Sequence, residues 1–170
     1  SFHVCNRAEK LNVKTYNKVV DKHADGLYRF AYSMCKNEDD AQDAVQDAFS
    51  KLWERKDQVN QEKVKSYLFT TVHNKMIDLF RKNSKYSSVE VHENAAVSQS
   101  ISPDLQEVLH SALNTLPEIQ KSVILLRDYE GYDYNEIAEI TDLSLSQVKV
   151  YIFRARKKLK SYIGSLDLVI

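Results

Sequence analysis

Residues 133–160 read DYNEIAEITDLSLSQVKVYIFRARKKLK and contain the start signals of two helices. Asp133 is followed three positions later by Glu136, and Ser144 is followed three positions later by Gln147. Each pair has the capping-box pattern, in which each of the two side chains bonds to the backbone N–H of the other residue. Apolar residues recur at helical spacing after both pairs, so the stretch predicts two helices joined by a short turn, a helix-turn-helix.

The second of these helices is basic. Residues 149–160 contain six Lys or Arg side chains and no Asp or Glu. Such a run commonly forms a solvated helix face, but a basic helix that follows a capped helix and a short turn can also enter the ~12 Å wide major groove of DNA. The face distinct from its apolar stripe carries Lys149, Val150, Phe153 and Arg154. An exposed Phe among cations suits contact with thymine methyl groups.

The composition of the whole chain favours an all-α protein. Its 170 residues include only 3 Gly and 2 Pro, so little of the turn chemistry of hairpins or phosphate-binding loops is present. Lys and Arg total 24, as do Asp and Glu, and any nucleic-acid site is therefore local. No apolar run approaches the ~18 residues of a membrane span and no basic-then-apolar leader opens the sequence, so the expected location is cytoplasmic.

Helical periodicity in the first half of the chain predicts three helices. Asn37 is the expected cap of the second helix, whose first part, residues 38–47, holds five acidic residues and no base. Residues 87–104 lack regular apolar spacing and are rich in Ser, Asn, Gln and Glu, which is typical of a flexible linker. The sequence therefore predicts two small helical domains, residues 12–86 and 105–165, the second containing the helix-turn-helix.

The third predicted helix mixes amide, cationic and aromatic side chains. His73, Asn74 and Lys75 lie near its middle, and Tyr67 and Phe69 precede them. Proteins that bind single-stranded DNA combine such groups. The aromatic residues also suit a helix core, and Asn74 suits a solvated helix surface. The residues alone leave both interpretations open.

Three segments together resemble bacterial sigma factors of the extracytoplasmic-function group of the sigma-70 family. Residues 40–53, DAQDAVQDAFSKLW, resemble the second conserved region of that family. Residues 66–78, SYLFTTVHNKMID, resemble its promoter-melting helix, and residues 116–156 resemble its carboxy-terminal helix-turn-helix domain. The resemblance covers residues 15–163, nearly the whole chain, with the segments in the family's order.

The resemblance implies a dissociable transcription initiation factor that joins core RNA polymerase, directs it to specific promoters and assists in melting the duplex. Expected partners are core RNA polymerase and promoter DNA, and an anti-sigma factor is a further possible partner. The protein is not expected to be an enzyme, and no catalytic residue, cofactor, metal or small-molecule substrate is expected.

The resemblance also implies roles for individual residues. Asp43, Gln46 and Asp47 match positions that contact the coiled coil of the largest polymerase subunit, and Asn74 matches a position near the pocket for a base extruded from the minus-ten element. The candidate minus-ten contacts are Asn60 and Gln61 in the loop at residues 56–63, with His73, Asn74, Lys75, Arg81 and Lys82 on the third helix. The candidate minus-thirty-five contacts are Lys149, Val150, Phe153 and Arg154 toward base edges, and Arg156, Lys157 and Lys158 toward phosphates.

An alternative from another class is a stand-alone helix-turn-helix regulator that binds duplex DNA without polymerase. Its amino-terminal helices would then serve as a sensing or dimerisation module. Tight, sequence-specific binding by the free chain would favour this alternative. An enzyme is disfavoured because the five His residues are scattered and neither a Gly-x-Ser-x-Gly nor a His-Glu-x-x-His motif occurs.

Overall fold

The computed structural model describes residues 11–86 and 105–167. Within these two ranges the chain forms seven α-helices and no β-strand, which confirms the all-α prediction. The helices are α1 Val13–Cys35, α2 Glu38–Glu54, α3 Val64–Tyr86, α4 Leu105–Asn114, α5 Glu118–Ile124, α6 Tyr134–Thr141 and α7 Leu145–Asp167. The predicted linker at residues 87–104 lies outside the described residues. Among the described helices, none combines the length and apolar character needed to cross a membrane.

Contacts between Cα atoms divide the chain into two compact units, Ser1–Lys75 and Met76–Ile170. This division falls inside α3, which continues as one helix to Tyr86. The boundary predicted from the sequence lies later, after residue 86. The first unit therefore contains α1, α2 and residues 64–75 of α3, and the second contains residues 76–86 of α3 and α4 to α7.

A tight connection returns α2 against α1 in the first unit. Lys36 ends α1 in the left-handed conformation, with φ 55°, and its N–H donates to the Tyr32 carbonyl at 2.8 Å. Asn37 caps α2 as predicted, since its Oδ1 accepts a hydrogen bond from the Asp40 N–H at 2.9 Å. This two-residue connection allows α1 and α2 to pack against each other.

The core of the first unit consists of apolar residues from all three helices. The Phe30 ring of α1 meets the Phe69 ring of α3, with 5.7 Å between centroids. Phe69 is thus a core residue, which decides between the two interpretations of that side chain. The other large, fully buried side chains of this unit are Leu27, Leu52, Leu68, Val64 and Val72.

In the second unit, α7 packs against α4, α5 and α6. After α5 the chain continues as a π-helical segment, Leu125–Tyr129, in which the Glu130 N–H donates to the Leu125 carbonyl at 3.0 Å. Gly131 follows with φ +75°, a conformation that favours glycine and ends the helical run.

Both predicted capping boxes are present. The Glu136 N–H donates to Asp133 Oδ1 at 2.8 Å, and the Asp133 N–H donates to Glu136 Oε2 at 2.9 Å. The Gln147 N–H donates to Ser144 Oγ at 3.1 Å, and the Ser144 N–H donates to Gln147 Oε1 at 2.9 Å. These bonds satisfy backbone donors that a helix start leaves unpaired, so they fix where α6 and α7 begin.

Candidate functional site

The acidic face of α2 consists of Asp43, Gln46 and Asp47. These positions are one helical turn apart, and the opposite side of α2 buries Ala44, Ala48 and other residues. Asp43 and Gln46 are exposed, and Asp47 is half-buried. Lys51 Nζ lies 3.1 Å from Asp47 Oδ2, one turn along the same helix. The structure therefore presents the predicted polymerase-binding residues together on an accessible, mainly acidic surface.

One residue of this acidic face lies beside a predicted DNA contact. Lys75 Nζ on α3 is 3.9 Å from Asp43 Oδ2 on α2. Lys75 is half-buried and Asn74, the residue before it, is exposed. The Asn74 amide carries both a donor and an acceptor, which suits the edge of an unpaired base. Further along the same helix, Arg81 and Lys82 are exposed cations.

His73, predicted as a minus-ten contact, lies instead in the core of the first unit. It is 3% exposed, and its ring stacks on Phe30 with 6.5 Å between centroids. Burial lowers the pKa of His73 to about 4, so the imidazole is neutral at physiological pH. A direct DNA contact by His73 would require it to leave this position.

A sequence signal for this burial exists. His73 is four residues after Phe69 and three before Met76, and both of these neighbours are buried. Residues at such spacings share one face of a helix. A polar residue between two apolar residues of one stripe is therefore placed inward.

The loop before α3 holds the other two predicted minus-ten residues. Asn60 caps a 3-10 turn, Gln61–Lys63, through its Oδ1, which accepts a hydrogen bond from the Glu62 N–H at 3.3 Å. Asn60 is exposed and Gln61 is half-buried. At the start of the loop, the Lys56 ammonium lies 3.8 Å from the centroid of the Trp53 ring. Side chains thus stabilise the conformation of the loop at its start and at its 3-10 turn.

The helix-turn-helix presents a groove face, defined as Lys149, Val150, Phe153 and Arg154 of α7. All four residues are exposed, and Phe153 is 68% exposed. The residues that alternate with them along α7 are fully buried, namely Val148, Ile152 and Ala155. The structure thus brings the predicted base-contacting residues together on one free side of α7.

The three cations predicted to meet phosphates lie beyond the groove face and are exposed. Within the described residues Lys157 and Lys158 form no ion pair, whereas Arg156 forms a bidentate ion pair with Asp128. Its Nη2 donates to Asp128 Oδ1 at 2.7 Å, and its Nε donates to Asp128 Oδ2 at 3.2 Å. Asp128 could not be identified from local sequence patterns, because its partner Arg156 is 28 residues away and no local spacing connects them.

Comparisons with known proteins agree with this arrangement. The family model for Sigma-70 region 2 matches residues 19–86, and the family model for Sigma-70 region 4 matches residues 106–159. RNA polymerase sigma factor SigV of Bacillus subtilis is 32% identical over 151 residues, covering 88% of this chain and 91% of that protein. ECF RNA polymerase sigma factor SigM of the same species is 28% identical over 153 residues, covering 86% of this chain and 94% of that protein.

Two solved structures are also similar. The sigma factor RpoE, in a co-crystal structure with the anti-sigma factor NepR from Bartonella quintana, superposes with a TM-score of 0.75 at 28% identity. That match covers 89% of this chain and 98% of the RpoE chain. CnrH, in complex with the cytosolic domain of CnrY, superposes with a TM-score of 0.70 at 26% identity, covering 91% of this chain and 90% of that one.

Proposed function

The chain belongs to the extracytoplasmic-function group of the sigma-70 family, and on this premise we propose which residues carry out each step of initiation. It is a polymerase-associated transcription initiation factor. The observation that carries the residue assignment is exposure: the groove face of α7 and Asn74 on α3 are exposed, whereas the adjacent Ile152 and His73 are buried. We assign polymerase binding to the acidic face of α2, minus-ten contacts to α3 and minus-thirty-five contacts to α7.

The acidic face of α2 is proposed to bind a basic surface of core RNA polymerase. Two carboxylates, Asp43 and Asp47, lie there one turn apart, with the Gln46 amide between them. Opposite charges across an interface accelerate association and fix its register. The family resemblance supplies the partner, the coiled coil of the largest polymerase subunit.

Asn74 is proposed to bind a base extruded from the minus-ten element. Capturing an unstacked base offsets part of the opening cost of a few kcal/mol, so melting depends on sequence without any bond being cut. Lys75, Arg81 and Lys82 would neutralise backbone phosphates near it, and the loop with Asn60 and Gln61 would contribute to base choice. The buried position of His73 favours a supporting role beneath Asn74 rather than contact with DNA.

The groove face of α7 is proposed to contact bases of the minus-thirty-five element in the major groove. Lys149 and Arg154 offer donors to base edges, and the Phe153 ring offers an apolar surface to thymine methyl groups. Lys157 and Lys158 would bind phosphates and so hold the register of the helix on the duplex. The stand-alone regulator is not favoured, since both sigma-70 regions match this chain.

We place the protein in the cytoplasm, where it would join core RNA polymerase, and we assign it no catalytic step of its own. The structural relative RpoE was solved with an anti-sigma factor. An anti-sigma factor is therefore proposed as a third partner, competing for the acidic face of α2.

The Asn74→Ala substitution tests the assignment of the melting step. Loss of its hydrogen bonds, at about 1 kcal/mol or more, should lower the equilibrium constant for opening about fivefold or more while closed-complex binding stays unchanged. Permanganate reactivity of unpaired thymines measures opening, and gel mobility measures closed-complex binding. Asn83→Ala, which removes the same group from an exposed position of the same helix, is the matched control.

Equal permanganate reactivity in the wild-type and Asn74→Ala holoenzymes would contradict the role of Asn74. Tight, sequence-specific binding of the free chain to duplex promoter, without polymerase, would instead support a stand-alone regulator.

A further inference from the structure

The ion pair between Asp128 and Arg156 connects two distant parts of the second unit. Asp128 lies in the π-helical segment Leu125–Tyr129, and Arg156 lies in α7, one turn after Phe153. Both oxygens of the carboxylate accept a hydrogen bond, at 2.7 and 3.2 Å. A guanidinium held at two points has a defined orientation, which a single contact does not give.

The residue before Asp128 binds the other helix of the helix-turn-helix. Arg127 Nη1 donates to the Tyr132 carbonyl at 2.9 Å, just before α6 begins. The Arg127 guanidinium also lies 4.7 Å from the centroid of the Tyr134 ring, at the first residue of α6. Two neighbouring residues of the π-helical segment, Arg127 and Asp128, therefore contact α6 and α7, and Arg156 itself also interacts with the Tyr134 side chain. Such segments are rare in proteins and are often associated with functional sites.

The position of this ion pair favours orientation over stability as its main effect. The side chains of Arg156 and Asp128 are 48% and 39% exposed, and ion pairs at that exposure contribute little to folding. Arg156 follows Lys149 by seven residues and Phe153 by three, so it lies beside these two residues at the edge of the groove face. Holding Arg156 against Asp128 therefore opposes a small rotation of that face about the helix axis, beyond what the buried residues of α7 already restrict.

The same bonds reduce the suitability of Arg156 as a phosphate ligand. Its guanidinium already faces a carboxylate, whose negative charge would repel a phosphate at that point. Lys157 and Lys158, the next two residues, are exposed and serve that purpose in the proposed function.

We propose that Asp128 and Arg156 are positioning residues that set the rotation of α7, and so determine which minus-thirty-five bases its groove face meets. This inference rests on the proposed function, in which α7 contacts those bases. It replaces the phosphate contact expected of Arg156 from the family pattern.

The test uses the full chain in holoenzyme with bacterial core RNA polymerase. Transcription from a promoter library randomised at the minus-thirty-five element gives the base preference, and binding to a selected promoter at several salt concentrations gives the salt slope. Asp128→Asn, Arg156→Gln and Arg156→Lys should each change the base preference about threefold or more, the scale of coupling between contacting residues. The salt slope should stay unchanged, and Lys160→Gln, an exposed position of the same helix, should alter neither the preference nor the fold.

A phosphate contact by Arg156 gives a different pattern and would overturn the inference. Arg156→Gln would then lower the log–log salt slope by about 0.9, Arg156→Lys would restore it, and Asp128→Asn would leave the base preference intact. Unchanged preference in all three variants would also overturn it. Circular dichroism at the assay temperature verifies folding. Arg156→Lys keeps the charge and should disturb folding least of the three variants.

A failure of the proposed function can be distinguished from a failure of this positioning role. If the wild-type holoenzyme shows no preference at the minus-thirty-five element, the contact by α7 is wrong. If the wild type shows a preference that Lys149→Ala changes but the ion-pair variants do not, only the positioning role is wrong.

Discussion

Helices α3 and α7 were both predicted to contact DNA, yet a larger part of the surface of α3 is buried. In α7 the buried residues follow a single stripe, Val148, Ile152 and Ala155, and the groove face beside it is exposed. In α3 two adjacent stripes are buried, one with Leu68 and Val72 and one with Phe69 and His73. A wider buried face leaves fewer positions for ligands, and it placed one predicted DNA contact in the core. A polar residue can therefore be assigned to the surface from sequence only where the buried stripe of its helix is narrow.

The sharpest test of this contrast uses two adjacent residues of α7. Ile152 is 2% exposed and Phe153 is 68% exposed. Ile152→Ala should lower the free energy of unfolding by about 2–5 kcal/mol, because it leaves a cavity, whereas Phe153→Ala should change it by less than about 0.5 kcal/mol. Urea unfolding followed by far-ultraviolet circular dichroism measures both.

The only tryptophan of the chain, Trp53, gives an internal control for this pair. Trp53 lies in α2, within the first unit, so its fluorescence reports unfolding of that unit. The fluorescence midpoint should not move in Ile152→Ala. Equal destabilisation by Ile152→Ala and Phe153→Ala would show that α7 has a second buried stripe, and the contrast with α3 would fail.

The pH dependence of stability tests the buried position of His73. Burial lowers its pKa to about 4 in the folded protein, whereas the unfolded chain titrates near 6.5. As the pH falls below 6.5, the unfolded state binds a proton that the folded state does not, so stability is lost between pH 6.5 and pH 4. The loss from this group should reach about 3 kcal/mol at pH 4, and above pH 6.5 it should contribute no slope.

Urea unfolding followed by Trp53 fluorescence at several pH values measures this loss, and His73→Leu should flatten the curve in the same window. His23, whose pKa is lowered by burial and by Lys22 and Lys65, titrates in the same direction. His23→Gln is therefore the matched control and should remove a smaller part of the slope. An unchanged pH profile in His73→Leu would mean that the imidazole is solvated.

Local patterns in the sequence predicted much of the fold, and contacts distant in sequence account for the rest. Asn37 and the capping boxes at Asp133 and Ser144 act within four residues, so spacing alone identified them. The inward face of α3 depends on Phe30, a residue of another helix, and the partner of Arg156 is 28 residues away. Such pairings depend on how helices pack, which a single sequence does not specify. The contacts with polymerase and DNA stay predictions, and the variants at Asn74, Asp128 and Arg156 test those with DNA.

The smallest expected effect concerns the ion pair that connects α2 with α3. Lys75 Nζ and Asp43 Oδ2 are 3.9 Å apart, and Asp43 is exposed to solvent that screens the attraction. A double-mutant cycle of Asp43→Asn and Lys75→Gln should give a coupling below about 0.5 kcal/mol in urea unfolding, in the range of the Asp47–Lys51 pair within α2 measured the same way. Weak coupling would leave Asp43 available to polymerase and Lys75 available to DNA. A coupling above about 1 kcal/mol would mean that charge as well as apolar packing holds α3 in place. Polymerase binding at Asp43 or DNA binding at Lys75 would then first have to break this ion pair.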